Sequence, residues 1–228
     1  DYNKTDSKLV YDNAIEDVVR LSAVPHLKLT GNGTFEVFAD RVVLNGAVNS
    51  LRAVTDITIT TTGDGSTIKI NEIRSVPELA SFTIDASFGN NDTLVGLDQA
   101  NDWSITGTNA GSLAATPVVN FSGIENLRGR TGEDTFTFAD GGSITGEVDG
   151  GSGAAIDVVD YSASTTGVTF DLGPDGFSNL ESLIGSPASD TLVGPDVENT
   201  WTITGADQGN IGRLAFSDIE NLIGAVEV

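Results

Sequence analysis

The hydrophobic residues of this chain fall in short runs in which apolar and polar positions alternate. From residue 26 onward the runs are four to nine residues long, and Gly, Asn or Asp interrupts them: LKLT, TFEVFA, RVVLNG, ITIT, STIKI and ELASFTIDA. Together with 27 glycines and frequent Thr, Val and Ile, this pattern predicts an all-β chain. Hairpin signals are mostly not followed by an obvious return strand of similar length, and the spacing of turns fits both a sandwich and a solenoid.

Residues 1–25 are less regular, and we expect them to join or cap the body of the fold. Asn13 to Arg20 has the apolar spacing of a short helix, with Asn13 as an N-cap and Glu16 completing a capping box. The β-branched content of the same segment argues against a helix. The sequence leaves both interpretations open.

Two families of internal repeats distinguish between a sandwich and a solenoid. FSGIENLRGRTGEDTFTF (Phe121 to Phe138) matches FSNLESLIGSPASDTLVG (Phe177 to Gly194) at seven places, and a third copy begins at Phe216. In the second family, DTLVGLDQANDWSITGTNAGSL (Asp92 to Leu113) aligns without a gap with DTLVGPDVENTWTITGADQGNI (Asp190 to Ile211), and 12 of the 22 residues are identical. Strand-and-turn units that bury their apolar face only against neighbouring copies form solenoids.

We therefore predict a single-domain, right-handed parallel β-solenoid over residues 26–228, with internal repeats at 92–129, 134–185 and 190–224. Coils of about 20 to 28 residues give roughly nine or ten coils, and a body about 45 Å long at the usual strand spacing. Each copy of the first family contains a Glu-x-Leu step. Its middle residue, Asn126 in the first copy, is expected to cap backbone groups at a bend.

The two ends of the chain resemble parts of one internal sequence. AVEV at the C-terminus followed by DYNK at the N-terminus is similar to AAIDVVDYSA, residues 154–163. We expect the end of one unit to abut the start of the next in register, in a tandem polypeptide or in a filament of separate subunits; a chance match at an excision boundary is the alternative. The assembly ends in this hypothesis are Asp1, Tyr2, Val226, Glu227 and Val228.

Composition narrows the class of partner. The chain has 33 Asp and Glu against 11 Lys and Arg, and its net charge of -22 disfavours binding to nucleic acid or anionic lipid. It has no Cys and no Met, which excludes disulfides and thiol chemistry and suits a secreted protein. No run approaches the roughly 18 apolar residues of a membrane span, so no membrane insertion is expected. The chain opens at Asp1 without a signal peptide, as expected of a mature protein or an excerpt.

The motifs FSxIENLxG, GxTGxDTF, and DYS followed by GVTFDL resemble repeat modules of giant bacterial secreted or surface exoproteins of the haemagglutinin-like or adhesin-like kind. The resemblance covers residue 84 to the end, and the earlier part resembles only the general filamentous-haemagglutinin type of β-helix. It implies a structural module of an extracellular or cell-surface filament or adhesin. The implied partners are further copies in head-to-tail order and cell-surface glycans.

A fainter resemblance is to the nonapeptide calcium repeat of RTX (repeats-in-toxin) proteins, GGxGxDxUx. The best match, Gly129 to Phe136, has Arg130 in place of the second glycine. Calcium needs about six to eight oxygens from consecutive intact repeats, and consecutive intact repeats do not occur. The resemblance makes Asp92, Asp134 and Asp190 calcium candidates; the alternative is that they cap their own turns through Asx hydrogen bonds.

Parallel β-helices also carry polysaccharide lyases and glycosidases, so a carbohydrate-active enzyme is the second alternative. The nearest approximations to a catalytic acid and base are Asp157 with Asp160 and Asp171 with Asp175, and solvated loop acids are the favoured interpretation. No GxSxG, HExxH or GxxxxGKS/T motif occurs. The sequence therefore predicts no enzyme, and no cofactor other than calcium.

Three aromatic residues complete the candidate chemistry. His26, between Pro25 and Leu27, is expected to be an ordinary turn residue. Trp103 and Trp201 lie at equivalent places in the second repeat family, where packing against an adjacent coil is favoured over stacking on a sugar.

Overall fold

The computed structural model describes residues 8–11, 26–51, 54–73, 79–172 and 176–224. The predicted helix at 13–20 and the assembly ends Asp1, Tyr2, Val226, Glu227 and Val228 lie outside the described residues. Within the described ranges every regular element is a β-strand and no helix occurs. The all-β prediction is confirmed.

The strands are short, as the alternating runs predicted. The first twelve are β1 (Lys8–Tyr11), β2 (His26–Gly31), β3 (Thr34–Phe38), β4 (Arg41–Leu44), β5 (Ala47–Ser50), β6 (Asp56–Thr61), β7 (Thr67–Ile70), β8 (Ser81–Asp85), β9 (Thr93–Val95), β10 (Asn101–Gly107), β11 (Ala110–Leu113) and β12 (Val119–Ser122). The others are β13 (Asn126–Arg130), β14 (Asp134–Phe138), β15 (Val148–Gly151), β16 (Val158–Asp160), β17 (Thr169–Asp171), β18 (Phe177–Ser178), β19 (Ser182–Ile184), β20 (Thr191–Val193), β21 (Trp201–Gly205), β22 (Gln208–Ile211), β23 (Leu214–Ser217) and β24 (Asn221–Ile223).

The strands form three sheets. A 13-stranded sheet has the order β1-β2-β6-β8-β12-β11-β10-β14-β16-β19-β23-β22-β21. An 8-stranded sheet has the order β18-β15-β13-β9-β7-β3-β4-β5, and β17-β20-β24 form a 3-stranded sheet. Most neighbouring strands are parallel. Because parallel neighbours need a long connection, the chain leaves a sheet after one strand and later returns to form the adjacent strand. We call the strands formed between one return and the next a layer.

The pairing is mixed, which departs from the purely parallel ladder that the sequence predicted. Three groups are antiparallel, namely β3-β4-β5, β10-β11-β12 and β21-β22-β23. The expectation that hairpin signals lack return strands is wrong here. Asn45 and Gly46 join β4 to β5 with φ angles of 49° and 90°, the two positive values that a tight two-residue hairpin turn requires. Asn109 and Asp207 adopt φ 54° in the other two groups.

The core consists of apolar columns that run across the parallel strands. In the 13-stranded sheet, strand register places Leu27, Ile57, Phe82 and Val119 side by side, and each is at most 1% exposed. A matching column of the 8-stranded sheet contains Phe35, Ile68, Leu94, Leu127 and Val148. Both columns belong to one hydrophobic cluster. Burial of each such side chain contributes about 1.5–3 kcal/mol, so the alternating pattern of the sequence becomes the main stabilising term of the fold.

Candidate functional site

The repeated acidic residues meet one another between neighbouring layers. In each contact the Asp lies just before or at the start of a strand. Its backbone N–H donates to a carboxylate of the next layer. The pairs are Asp92 with Glu125 (2.9 Å), Asp134 with Asp157 (2.8 Å), Asp157 with Glu181 (3.0 Å) and Asp190 with Glu220 (2.7 Å). We call this set the acidic ladder. In two of the four pairs, Asp92 with Glu125 and Asp190 with Glu220, it joins the Asp-Thr step of one repeat to the Glu-x-Leu step of another, which the sequence showed as two separate features.

The Asp side chains of the ladder make a second set of bonds. Asp92 Oδ1 accepts from the Ser66 N–H (2.6 Å), and Asp92 Oδ2 accepts from Thr61 Oγ1 (3.1 Å). Asp190 accepts at its two oxygens from the N–H groups of Val168 and Ser186, each at 2.6 Å. Each Asp therefore ties its own layer to both adjacent layers or to the turn that precedes it.

Asp134 occupies the corresponding place in the middle repeat. Its Oδ1 accepts from Asn101 Nδ2 (2.5 Å), and its Oδ2 accepts from the Arg130 N–H (3.2 Å). Asp92, Asp134 and Asp190 all have 0% exposure. Buried carboxylates need such donors, because an unpaired buried charge is strongly destabilising.

These bonds differ from the Asx turns that were the predicted alternative to calcium. An Asx bond joins a side chain to the backbone two residues later, as Asp149 does with the Gly151 N–H (2.9 Å). The turn donors to Asp134 and Asp190 instead lie four residues earlier, and the donors to Asp92 lie in a different layer. The sequence missed this because the partners are distant along the chain.

Burial raises the pKa values of three carboxyl groups of the ladder, those of Asp92, Asp134 and Asp157. Burial raises the pKa of Asp134 to about 6, and the nearby charge of Asp157 acts in the same direction, while the hydrogen bond from Asn101 opposes it. Burial also raises the pKa of Asp92 and of Asp157, and for Asp157 the charges of Glu181 and then Asp149 add to the effect. Protonation of these groups is therefore easier in the folded chain than in the unfolded chain.

The carboxylate oxygens of the three calcium candidates accept hydrogen bonds from protein donors. Among the described residues, no group of three or more Asp, Glu, His or Cys side chains is arranged to hold a metal ion. A cation at Asp92, Asp134 or Asp190 would have to displace the N–H and O–H donors that now face the carboxylate oxygens. Calcium binding stays a prediction.

The bend residues of the Glu-x-Leu step cap the ladder as expected. Asn126 Nδ2 donates to the Asp92 carbonyl (3.3 Å), and Asn126 Oδ1 accepts from the Glu147 N–H (3.0 Å). Asn221 Nδ2 makes the equivalent bond to the Asp190 carbonyl (2.9 Å). The sequence prediction for Asn126 is confirmed.

Asp157 and Asp160, one of the two candidate catalytic pairs, make hydrogen bonds between layers and within a turn. Asp157 is 5% exposed and belongs to the ladder, whereas Asp160 accepts from the Ser162 N–H (2.8 Å). Asp171 lies in β17, and Asp175 lies outside the described residues. The first pair therefore does not provide two free carboxylates facing a common cleft.

His26 and Trp103 also make contacts within the fold. His26 opens β2 instead of lying in a turn, and its Nδ1 is 2.8 Å from Asp56 Oδ2. Trp103 is 1% exposed and stacks on Phe136, with ring centroids 5.6 Å apart. Trp103 is therefore inaccessible to a sugar, whereas Trp201 is only half-buried.

Sequence reasoning missed Asn101, which is 2% exposed and holds together the loop before β10. Asn101 Oδ1 accepts from the Leu97 N–H (3.0 Å), and Nδ2 donates to the carbonyls of Leu97 and Gln99 as well as to Asp134. Its recurrence as Asn199, 98 residues later, was the available signal.

Comparison of the chain with protein-family models, with curated proteins and with solved structures finds no match. No helix in the described part of the chain is long and apolar enough to cross a membrane.

Proposed function

We propose that this chain is a structural module of a bacterial surface filament or giant adhesin, located outside the cell or at its surface and stacked end to end with the next unit. The resemblance of its repeat motifs supports the class of protein. In this proposal the fold is a right-handed parallel β-solenoid of roughly nine or ten coils, and the antiparallel groups are hairpins added to individual coils.

The acidic ladder is the observation that carries the proposal. Two pairs of acidic residues recur from repeat to repeat, Asp92 with Glu125 and Asp190 with Glu220. Their hydrogen-bonding groups are paired with groups in neighbouring layers. The recurring polar groups therefore hold adjacent layers together, as expected of a stiff scaffold.

Surface charge favours association at the ends over association along the sides. A net charge of -22 repels parallel rods from one another. In contrast, one end of the described structure is apolar, because β21 and β24 are edge strands of their sheets and expose Ile203 (58%), Leu222 (37%) and Ile223 (48%). Unpaired edge strands with exposed apolar side chains readily pair with another chain.

Electron microscopy and thermal melting of the same protein test this proposal. Negative-stain images should show rods about 45 Å long and end-to-end chains of them that lengthen with protein concentration. The melting temperature should not change when EDTA replaces calcium chloride, because the ladder carboxylates already have protein donors.

Two results would contradict the proposal. Rods that stay single at every concentration would exclude end-to-end stacking. A melting temperature that falls by many degrees in EDTA, and recovers with calcium but not with magnesium, would replace the scaffold with the calcium-binding module of the RTX resemblance.

A further inference from the structure

Two aligned repeats present the same strand with different coverage. Trp103 and Ile105 in β10 are 1% and 0% exposed. Their counterparts in β21 are Trp201, which is half-buried, and Ile203, which is 58% exposed. Strand β10 is covered by β14, whereas β21 has β22 as its single neighbour among the described strands. Strand β21 therefore lacks the neighbour that its earlier copy has.

The difference does not come from the strands themselves, because the two surroundings match closely. A Cβ atom added to Gly96 would lie 2.8 Å from Trp103 Cζ2, and one added to Gly194 would lie 2.9 Å from Trp201 Cζ2. Each Trp also packs edge-on against a Phe ring, with a centroid distance of 6.3 Å in the first copy and 6.0 Å in the second. Strand β21 is therefore built to be covered as β10 is.

The pairing of β14 with β10 shows what such a cover requires. The two strands are parallel, with Phe136 opposite Trp103 and Phe138 opposite Ile105. The Phe136 ring stacks on Trp103 at an interplanar angle of 10°. A covering strand therefore runs parallel to the covered one and carries two apolar residues, two positions apart, opposite the Trp and the Ile.

The opposite edge of the same sheet has this pattern. That edge is β1, which has β2 as its single neighbour among the described strands. Strand β1 is parallel to β2, with Leu9 opposite Leu27 and Tyr11 opposite Leu29. Leu27 and Leu29 are 1% and 0% exposed and belong to the core. Leu9 and Tyr11 are thus two apolar residues, two positions apart, at the register positions of core residues.

The two edges of the 13-stranded sheet also run in the same direction. Each of its two antiparallel groups, β12-β11-β10 and β23-β22-β21, reverses the strand direction twice. All the other pairs in this sheet are parallel. A second copy that continues the sheet head to tail therefore places its β1 parallel to β21, as β14 is parallel to β10.

We propose that β1 of a second copy of this chain pairs in parallel with β21. In this joint Leu9 lies opposite Trp201. Tyr11 lies opposite Ile203. A slip by one residue would bring a lysine and a valine to these positions, and a slip by two would leave Trp201 or Ile203 without an apolar partner. The inference rests on the proposed end-to-end stacking, and it names the two strands, the direction and the register of the joint.

The distribution of charge favours this polarity. Apart from the antiparallel groups, strand order in the sheet follows the chain from β1 to β21. The first 74 residues contain 8 of the 11 Lys and Arg beside 10 acids, whereas the last 74 residues contain one Arg beside 12 acids. A joint of two β21 edges would bring two acidic ends together. A joint of β21 with β1 brings an acidic end to one that is nearly balanced, so repulsion is smaller.

Single cysteines in the full chain test the register and leave the apolar contacts in place, since the chain has no Cys of its own. In the proposed joint Val10 lies opposite Thr202, which is exposed. Paired Cα atoms of neighbouring strands are about 4.8 Å apart, within the range of about 4.4–6.8 Å that a disulfide allows. An equimolar mixture of Val10→Cys and Thr202→Cys, oxidised mildly with copper phenanthroline, should give a disulfide-linked dimer on a non-reducing gel.

Thr204→Cys is the matched register control. Two residues further along β21, its Cα atom would lie about 8 Å from that of Val10, which is too far for a disulfide. Its mixture with Val10→Cys should link at least about tenfold more slowly than the mixture with Thr202→Cys. Val10→Cys alone and Thr202→Cys alone should also stay unlinked, because head-to-tail stacking keeps like positions a rod length apart.

A second variant tests the joint without cysteines. Ile203→Asp should remain folded, because the side chain is 58% exposed, and should put an unpaired charge into the joint. In sedimentation velocity the wild type should form a concentration-dependent series of species, and Ile203→Asp should stay monomeric. Phe88→Asp, at a 71% exposed position in the turn after β8, is the matched control and should associate like the wild type.

Failure of this inference can be told apart from failure of the proposed function. Rapid linkage of Thr202→Cys to itself, or equal linkage of Val10→Cys to positions 202 and 204, would overturn the polarity or the register while stacking itself remained. Wild-type association that survives Ile203→Asp, or that gives no linkage in the first mixture, would overturn the β1–β21 joint. Absence of any wild-type association, together with single rods in the electron microscope, would overturn the stacking proposal as well.

Discussion

The backbone N–H of Asp190 donates to Glu220 Oε2 at 2.7 Å, although 30 residues separate the two along the chain. The same bond joins Asp92 to Glu125 at 2.9 Å in the earlier copy of the repeat. A recurrent contact between an Asp-Thr step and a Glu-x-Leu step therefore fixes the height of one layer over the next. It explains why two short motifs that look unrelated in sequence recur together.

Removal of one ladder carboxylate should weaken the fold measurably. Glu125 accepts from the Asp92 N–H and from Asn109 Nδ2, so Glu125→Ala leaves a buried donor without a partner. We expect a loss of about 1–3 kcal/mol in the free energy of unfolding, measured by urea denaturation. Glu198→Ala, at an exposed loop position, is the control and should change stability by less than about 0.5 kcal/mol. Equal stability of both variants would remove the ladder as a stabilising element.

Asp134 should give the stability a distinctive dependence on pH. Its folded pKa of about 6 lies above the ordinary value of 3.8, so the folded state holds the proton more tightly than the unfolded state. Its contribution is fully present below about pH 4 and is lost as the pH rises through about 6. Carboxyl carbon NMR should show a titration midpoint near 6 that is absent in Asp134→Asn.

The control for this titration is Asp140, which responds with the opposite sign. Hydrogen bonds from Thr165 lower the pKa of Asp140, so its contribution is present above the ordinary pKa and is lost as the pH falls. Asp134→Asn should reduce the loss of stability as the pH rises through about 6, leaving the part that comes from Asp92 and Asp157, and should leave the loss at low pH intact. An unchanged profile in the upper window would contradict the burial of Asp134.

Close approach of two layers should make Gly129 intolerant of a side chain. A Cβ atom there would lie 2.2 Å from Asp134 Oδ2 and 2.2 Å from the Gly150 carbonyl oxygen. Gly129→Ala should therefore cost about 1–3 kcal/mol or more in urea denaturation. A Cβ atom on Gly224 meets nothing within 4 Å, so Gly224→Ala is the matched control and should be close to neutral. A stable Gly129→Ala would mean that the layers are further apart.

The two tryptophans should differ in solvent access, and the chain contains only these two. In Trp103→Phe the emission comes from half-buried Trp201, and in Trp201→Phe it comes from buried Trp103. We expect the first variant to emit at longer wavelength and to be quenched more strongly by acrylamide, at protein concentrations low enough to prevent association. Equal quenching of both variants would contradict the partial exposure of Trp201 beside the full burial of Trp103.

Local patterns identified the strands well. The runs LKLT, ITIT and STIKI correspond to parts of β2, β6 and β7, because alternation of apolar and polar residues is itself the condition for a half-buried strand. The repeats likewise identified the residues that recur between layers. Hairpins such as β3-β4-β5 were missed, because the return strand β5 is only four residues long and its signal in the sequence is confined to the Asn45-Gly46 dipeptide, whose positive φ angles form the turn.

What the sequence determined by itself was the strand content, the repeats and the acidic surface, since each depends on residue type and short spacing. Only the tertiary structure decided that Asp92, Asp134 and Asp190 are buried acceptors, and that Trp201 is open where Trp103 is covered. Hydrogen-bond partners such as Asp92 and Ser66 are 26 residues apart, and coverage depends on which strand lies in the next layer. Both properties arise from the stacking of distant segments, and no local pattern encodes them.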